Sequence, residues 1–204
     1  MNANPAIAPI PVEPPEIEAR VITAGSYLAA AATAFFFVAF LFAFFYLRAL
    51  DNNGLWGGGK PHHHVHPALT AGIAILVCVL ASVGGIRFAV TAVRGGERPS
   101  WLATGWVSLA LGLASIAVQC WQYTALGFGP GDGGYASVYL GWTGFFAIFT
   151  LGAMLWLEAL LASAQRGVAA ARGNAAADLA AFSLVWTMLG IVETVAFVLL
   201  FIVQ

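Results

Sequence analysis

Residues Ala24–Tyr46 read AGSYLAAAATAFFFVAFLFAFFY and contain no charged side chain. An α-helix needs roughly 20 apolar residues to cross a hydrocarbon core about 30 Å thick, and this stretch is long enough. Each backbone N–H and C=O group in hydrocarbon must be paired within its own segment, which a lone apolar stretch achieves only as a helix. The stretch therefore predicts a transmembrane helix.

Four further stretches of the same kind follow along the chain. They cover about Ala68–Val93, Ala103–Phe128, Ser137–Ala164 and Leu179–Val203. Ala and Leu dominate them, and none shows the polar–apolar alternation of a membrane barrel strand. We therefore predict an all-α integral membrane protein in which residues 23–204 form one bundle of five transmembrane helices.

The composition excludes other classes of protein. Of the 204 residues, 61% are hydrophobic and only 8% are charged, whereas soluble domains carry roughly 25% charged residues. The 8 Lys and Arg residues are balanced by 9 Asp and Glu residues, so we expect no binding of nucleic acid. Cys78 and Cys120 lie within apolar stretches, where free cysteine usually serves as a small hydrophobic residue.

The first 22 residues contain five prolines and three glutamates. Because prolines at this density oppose a helix, we predict that residues 1–22 form a disordered cytoplasmic tail.

Basic residues in the loops predict the orientation of the bundle, because Lys and Arg are enriched on the cytoplasmic side. Five basic residues are expected on one side of the membrane: Arg20, Arg94, Arg98, Arg166 and Arg172. Only two, Arg48 and Lys60, are expected on the other side. This difference predicts that the N-terminus lies in the cytoplasm and the C-terminus outside.

Three charged residues fall inside the predicted helices, where a charge at the bilayer centre costs at least about 2.5–3.5 kcal/mol. Arg87 and Glu158 each lie seven residues from the predicted cytoplasmic end of their helix, about 10 Å inside the inner leaflet. They can form an ion pair between the second and fourth helices, or each can extend separately to the headgroups.

Glu193 lies deeper, about 21 Å along the last helix. Trp186, Gly190, Glu193 and Phe197 share one stripe of that helix. The carboxyl group must face protein or water, so Glu193 is a candidate for proton handling or for contact with another subunit. The alternative is a structural carboxyl group that is hydrogen-bonded to a neighbouring helix.

The loop residues 61–67 read PHHHVHP and hold every histidine of the chain: His62, His63, His64 and His66. Imidazoles at this density can bind zinc or copper. No cysteine or carboxylate adjoins them, so a polar outer loop is the favoured interpretation and a metal site the weaker one. No histidine lies within a predicted helix, so paired axial ligands for a haem are lacking. We expect no catalytic residue, metal or redox cofactor on this chain.

Four short motifs in the second half of the chain form a recognisable set. They are QCWQY at 119–123, GYAS at 134–137, TGF at 143–145 and SLVW at 183–186. They resemble the Q-x-x-E-Y, G-Y-x-S, T-G-F-H-G and S-L-F-W elements of subunit III of haem–copper terminal oxidases. The similarity covers most of residues 25–203, and five helices with the N-terminus inside match the short bacterial form of that subunit.

Polar positions of that family are apolar or altered here. Phe146 and Phe149 stand where the family carries the histidines of T-G-F-H-G-x-H. Gln122 stands at the acid of Q-x-x-E-Y, and Gly190 stands where the last helix of the family carries Asp. Glu193 lies one turn later on the same face and is a candidate replacement for that Asp.

The resemblance implies a non-catalytic subunit of a complex that reduces dioxygen to water and pumps protons across a bacterial plasma membrane. The implied partners are subunit I, which carries haem and copper, and subunit II, together with bound phospholipid. The implied role is to stabilise subunit I and to support proton uptake. We name six intramembrane polar residues as candidates for subunit contact: Arg87, Gln119, Gln122, Glu158, Trp186 and Glu193.

Other functions stay open. An accessory subunit of a nitric oxide reductase of the same superfamily would look very similar. A small independent transporter is a weaker interpretation, because transporters are often built from repeats and interrupted helices. Five helices do not divide into equal halves, and no predicted helix has a Pro-Gly interruption.

Overall fold

The computed structural model describes residues 14–51, 54, 56, 57, 66–167 and 175–203. In this part of the chain it contains five α-helices and a terminal π-helix: α1 Pro15–Ala49, α2 Leu69–Arg94, α3 Arg98–Ala125, α4 Gly134–Gln165, α5 Ala175–Phe197, and the π-helix Val198–Val203. The five helical stretches are long and apolar enough to cross a membrane, the last including the π-helix. The predicted bundle of five long apolar helices is confirmed.

Helix α1 begins earlier than predicted. It starts at Pro15, so the prediction of a disordered tail is wrong for residues 15–22, while residues 1–13 lie outside the described residues. Proline is tolerated in the first turn, because its missing N–H group has no partner there and its φ is already helical. Glu16 and Glu18 also lie in the first turn, where carboxylates interact favourably with the helix dipole.

Helix α5 lies at the centre of the packing. It contacts α1, α2 and α4, while α3 packs against both α2 and α4. Large side chains of α5 such as Leu179, Phe182 and Trp186 are fully buried.

A short link, residues 95–97, joins α2 to α3. Gly96 in this link has a φ of 78°, a left-handed conformation that residues other than glycine rarely adopt. The link therefore holds α2 and α3 as a tight antiparallel pair.

Small residues on α3 allow its neighbours α2 and α4 to approach closely. Ser108, Gly112 and Ser115 are all buried. A Cβ atom at Gly112 would collide with the Sδ of Met154 on α4. Close approach at small residues is a common way to pack helices in membranes, where apolar burial supplies no net attraction between helices.

An aromatic cluster joins α1 to α4. The Phe36 ring lies 5.1 Å from the rings of Phe145 and Phe149, and the Phe37 ring lies 5.4 Å from Phe149 and 6.3 Å from Phe146. Phe146 and Phe149 occupy the positions of the histidines in the T-G-F-H-G-x-H element. At this interface aromatic packing therefore stands in place of polar groups.

Candidate functional site

A polar cluster lies inside the bundle where α3 ends and α4 begins, alongside α5. Its members come from three helices, and all except Tyr123 are buried: Gln119, Gln122 and Tyr123 of α3, Tyr139 and Thr143 of α4, and Glu193 of α5. Buried polar groups in a membrane are stable only where they find partners within the protein. The contacts of each member therefore decide what the cluster can do.

Gln122 ties the end of α3 to the start of α2. Its Nε2 atom donates a hydrogen bond of 3.2 Å to the carbonyl oxygen of Ala68, the residue that precedes α2. The Gln119 Nε2 atom lies 3.5 Å from Gln122 Oε1. An amide can donate to the Ala68 carbonyl group, whereas an ionised carboxylate accepts only. This geometry gives a physical reason for Gln at the position of the acid in the Q-x-x-E-Y element.

Tyr123 and Thr143 link α3 to α4. Their hydroxyl oxygens are 2.7 Å apart, and Thr143 Oγ1 also donates to the carbonyl oxygen of Tyr139 at 2.7 Å. Since the single proton of the Thr143 hydroxyl is used in that bond, Tyr123 is the donor to Thr143. Two hydroxyl groups and one carbonyl group thus form a short chain across the helix interface.

Glu193 is the only buried acid in the part of the chain that the structure describes, with 6% of its surface exposed. Its carboxyl group interacts electrostatically with the side chains of Tyr123 and Tyr139, but it forms no hydrogen bond or ion pair with any described residue. The Tyr139 hydroxyl is likewise buried without a hydrogen-bond partner among the described residues, although the Gln119 side chain is near. The centre of the cluster is therefore polar but incompletely paired.

Gly190 lies one turn before Glu193 and packs against α2. A Cβ atom at Gly190 would lie 3.0 Å from Cγ2 of Val83. Any side chain at this position would therefore press on Val83 unless that side chain moved by a few tenths of an ångström.

A second buried contact joins α5 to α2 and α3. The Trp186 indole Nε1 donates to Ser82 Oγ at 3.0 Å, and Ser82 Oγ donates to the carbonyl oxygen of Ser108 at 2.8 Å. Trp186 was a candidate from the sequence, but Ser82 was not. The sequence shows Ser82 only as a hydroxyl group within an apolar helix. That pattern does not predict which residue the hydroxyl group bonds to.

The structure does not bring Arg87 and Glu158 together. Both side chains are exposed, and α3 and α5 each pack between α2 and α4. Of the six candidates for subunit contact, Gln119, Gln122, Trp186 and Glu193 are covered by their own chain. Only Arg87 and Glu158 are open to a partner.

The histidine-rich loop lies mostly outside the described residues, which include none of His62, His63 and His64. His66 is exposed, and its ring lies 6.2 Å from the ring of Tyr135. Among the described residues, no three His, Cys, Asp or Glu side chains are grouped as a metal site requires. None of the helices that the structure describes carries a histidine, so these helices offer no axial ligand for a haem.

The fold and these contacts define a multi-pass helical membrane protein whose helices are tied together by buried hydrogen bonds. The sequence model of the family described as cytochrome c oxidase subunit III matches residues 18–202. The chain belongs to this family, and the match includes nearly all residues of the five helices. Comparison with the curated proteins gives no match.

Proposed function

We propose that this chain is the subunit III component of a respiratory haem–copper oxidase complex in a bacterial plasma membrane. In this proposal it is a non-catalytic subunit that packs against subunit I, stabilises it and supports proton uptake. The observation that carries the proposal is the family match over residues 18–202. Haem and copper are expected on subunits I and II, because none of the described helices of this chain contains a histidine.

The outer surface of α1 supports a role within a larger assembly. Large apolar and aromatic side chains are exposed along its length: Tyr27, Leu28, Phe35, Val38, Phe42, Phe45 and Tyr46. Such a surface can pack against lipid or against the helices of another membrane subunit. Bound phospholipid is part of the proposal for the same reason.

Glu193 is the residue that we propose for the role in proton uptake. A carboxyl group can take up and release a proton, and the hydroxyl groups of Tyr123, Tyr139 and Thr143 surround the same part of the bundle interior. Because its own chain covers Glu193, a role in direct subunit contact is less compatible with this position.

Co-purification tests the proposal. The full chain, tagged at its C-terminus, is extracted from membranes in several mild detergents, and the eluate is measured for haem absorbance and oxygen consumption. We expect a larger haem-containing subunit to elute with the chain and the eluate to consume dioxygen; an untagged preparation is the control. A chain that elutes alone and colourless in every detergent contradicts the proposal. An eluate that consumes nitric oxide but not dioxygen would assign the chain to a nitric oxide reductase complex instead.

The proposed orientation has its own test. Cysteine introduced at Gly167 should lie on the cytoplasmic side, whereas cysteine introduced at Gly54 should lie outside. A membrane-impermeant maleimide added to intact cells should therefore label the variant at 54 and not the variant at 167. The reversed pattern contradicts the orientation, and a background in which Cys78 and Cys120 are replaced by Ala is the control.

A further inference from the structure

A small cavity of about 10 Å³ lies between α3 and α4, close to the middle of α4. Three polar side chains line it: Ser115 and Gln119 of α3 and Thr150 of α4. The other lining residues are apolar: Ile75, Ile116, Phe146 and Ala147. Among the described residues, no charged side chain lines the cavity. Its volume is about that which a single water molecule requires.

The hydroxyl group of Thr150 differs from those of most threonines in the bundle. Eight threonine hydroxyls of the described helices donate to a carbonyl oxygen three or four positions earlier in the same helix. Thr150 Oγ1 is fully buried, yet it has no hydrogen-bond partner among the described residues. A buried hydroxyl group is costly unless protein or a trapped water pairs with it, and the hydrocarbon around the middle of α4 supplies no partner.

The two polar groups of α3 offer acceptors to the same cavity. Ser115 Oγ already donates to the carbonyl oxygen of Gly112 at 2.7 Å, so it can only accept a further hydrogen bond. The side-chain carbonyl oxygen of Gln119 has two lone pairs and can accept as well. One water molecule carries two O–H donors and two lone pairs, which suffices for one donor and two acceptors. Three hydrogen bonds are usual for a buried water.

We propose that this cavity binds one water molecule, which accepts a hydrogen bond from Thr150 and donates to Ser115 and Gln119. The water joins α3 to α4 about 10 Å along α4 from the bond between Tyr123 and Thr143. Because Gln119 also belongs to the polar cluster around Glu193, the water extends that cluster to the middle of α4. The inference does not depend on the proposed function, because its test measures bound water and stability and not turnover.

The test labels side chains that lie beside bound water. The full chain, purified together with whatever subunits accompany it, receives a brief X-ray pulse in ¹⁸O-water. Hydroxyl radicals formed from a bound water oxidise the adjacent side chains, and mass spectrometry of peptides locates the label. We expect label on Phe146, a cavity residue with only 4% of its surface exposed. Phe44 is fully buried outside the cavity and gives the background.

The double variant Thr150→Val/Ser115→Ala leaves the cavity with one polar partner, fewer than the two that a buried water needs. Label on Phe146 should therefore fall to the background level of Phe44. Thr150→Ser keeps the hydroxyl group, so its Phe146 should stay labelled as in wild type. An unfolded double variant would show label on Phe44 as well; the comparison then uses Thr150→Val alone, which should also lose label on Phe146.

Thermal unfolding supplies a second measurement, whose sign separates a hydrated cavity from a dry one. Thr150→Val should lower the unfolding midpoint more than Thr33→Val does, because it removes a hydroxyl group that is paired with water. Thr33 is the matched control, since it is buried and donates within its own helix, to the carbonyl oxygen of Ala29 at 2.9 Å. In a dry cavity the same substitution would delete an unpaired hydroxyl group and raise the midpoint.

Three results overturn the proposal. The first is a raised midpoint in Thr150→Val, and the second is label on Phe146 of wild type no higher than on Phe44. The third is equal label on Phe146 in wild type and the double variant, since the radicals then come from water outside the cavity.

Discussion

The indole Nε1 of Trp186 lies 3.0 Å from the hydroxyl oxygen of Ser82, although the two residues are 104 positions apart in the chain. Both side chains are buried. Because Ser82 donates in turn to the carbonyl oxygen of Ser108, two consecutive hydrogen bonds connect α5, α2 and α3. A buried N–H group that loses its acceptor pays the cost of desolvation without compensation.

Ser82→Ala should therefore destabilise the bundle by about 1–2 kcal/mol. The substitution leaves the indole N–H of Trp186 without a partner and removes the bond to Ser108. Reversible unfolding of the purified chain in mixed micelles measures the change. The matched control is Ser163→Ala, because Ser163 donates only within its own helix, to Leu160.

The double variant Ser82→Ala/Trp186→Phe distinguishes the hydrogen bond from packing. Replacing both partners removes the unpaired donor, so the double variant should be less destabilised than the sum of the two single variants. Strict additivity would show that the contact between Trp186 and Ser82 contributes nothing of its own.

Gly112→Ala should cost about 1–3 kcal/mol, because the added methyl group collides with Met154 and this buried side chain must repack. Gly152→Ala is the control, since a Cβ atom at Gly152 meets nothing within 4 Å. The control should be neutral or slightly stabilising, as Ala favours a helix more than Gly does. Equal effects of the two substitutions on the unfolding midpoint would rule out close packing at Gly112.

Gln122→Glu, which introduces the acid that the resemblance suggested, should destabilise the chain by about 1–3 kcal/mol at neutral pH. A carboxylate at this position cannot donate to the Ala68 carbonyl group and would face its lone pairs. Gln165→Glu makes the same change at an exposed position and should leave the free energy of unfolding nearly unaltered. A stable Gln122→Glu variant would mean that the bond to Ala68 does not hold the start of α2.

Hydropathy predicted the existence of five helices, and counting along the last helix placed Glu193 on one stripe with Trp186, because both depend on residues close together in the chain. It did not predict that α1 begins at Pro15, since a proline that breaks a helix interior is favourable in the first turn. The positions of Arg87 and Glu158, seven residues before the ends of α2 and α4, also followed from counting. Their partners did not, because counting along a helix does not fix how that helix is rotated against its neighbours. The pairing of Trp186 with Ser82 was out of reach for the same reason.

The Tyr135 side chain is bonded to the terminal π-helix. The Tyr135 hydroxyl donates to the carbonyl oxygen of Leu200 at 2.5 Å, within the π-helical segment Val198–Val203. A side chain that bonds to a helix carbonyl competes with the regular ladder of backbone hydrogen bonds. Tyr135→Phe should therefore change amide hydrogen exchange in residues 198–203. Tyr139→Phe removes a buried hydroxyl without a described partner, so exchange there should stay unchanged and stability should be equal or higher.

Glu193→Leu should stabilise the isolated chain by about 1–2 kcal/mol, because it replaces a buried carboxyl group that lacks a hydrogen-bond partner among the described residues with an apolar side chain of similar size. Glu158→Leu alters an exposed acid and is the matched control. A structural carboxyl group that holds α5 to α4 would give the opposite sign, with Glu193→Leu unfolding more readily than wild type.

The same residue separates a role in proton uptake from a purely structural role in the complex. Glu193→Gln keeps the shape and the polarity of the side chain but cannot exchange a proton, so a proton-uptake role predicts that Gln and Leu lower the number of protons pumped per electron alike. Haem absorbance and the yield of the complex should stay at wild-type levels in both variants, since neither removes a group that ligates a metal. If Gln behaves as wild type and only Leu alters the complex, Glu193 acts through packing. Equal pumping, oxygen consumption and yield in all three proteins would remove Glu193 from the functional residues, because a buried carboxyl group that can be deleted without consequence carries neither protons nor contacts.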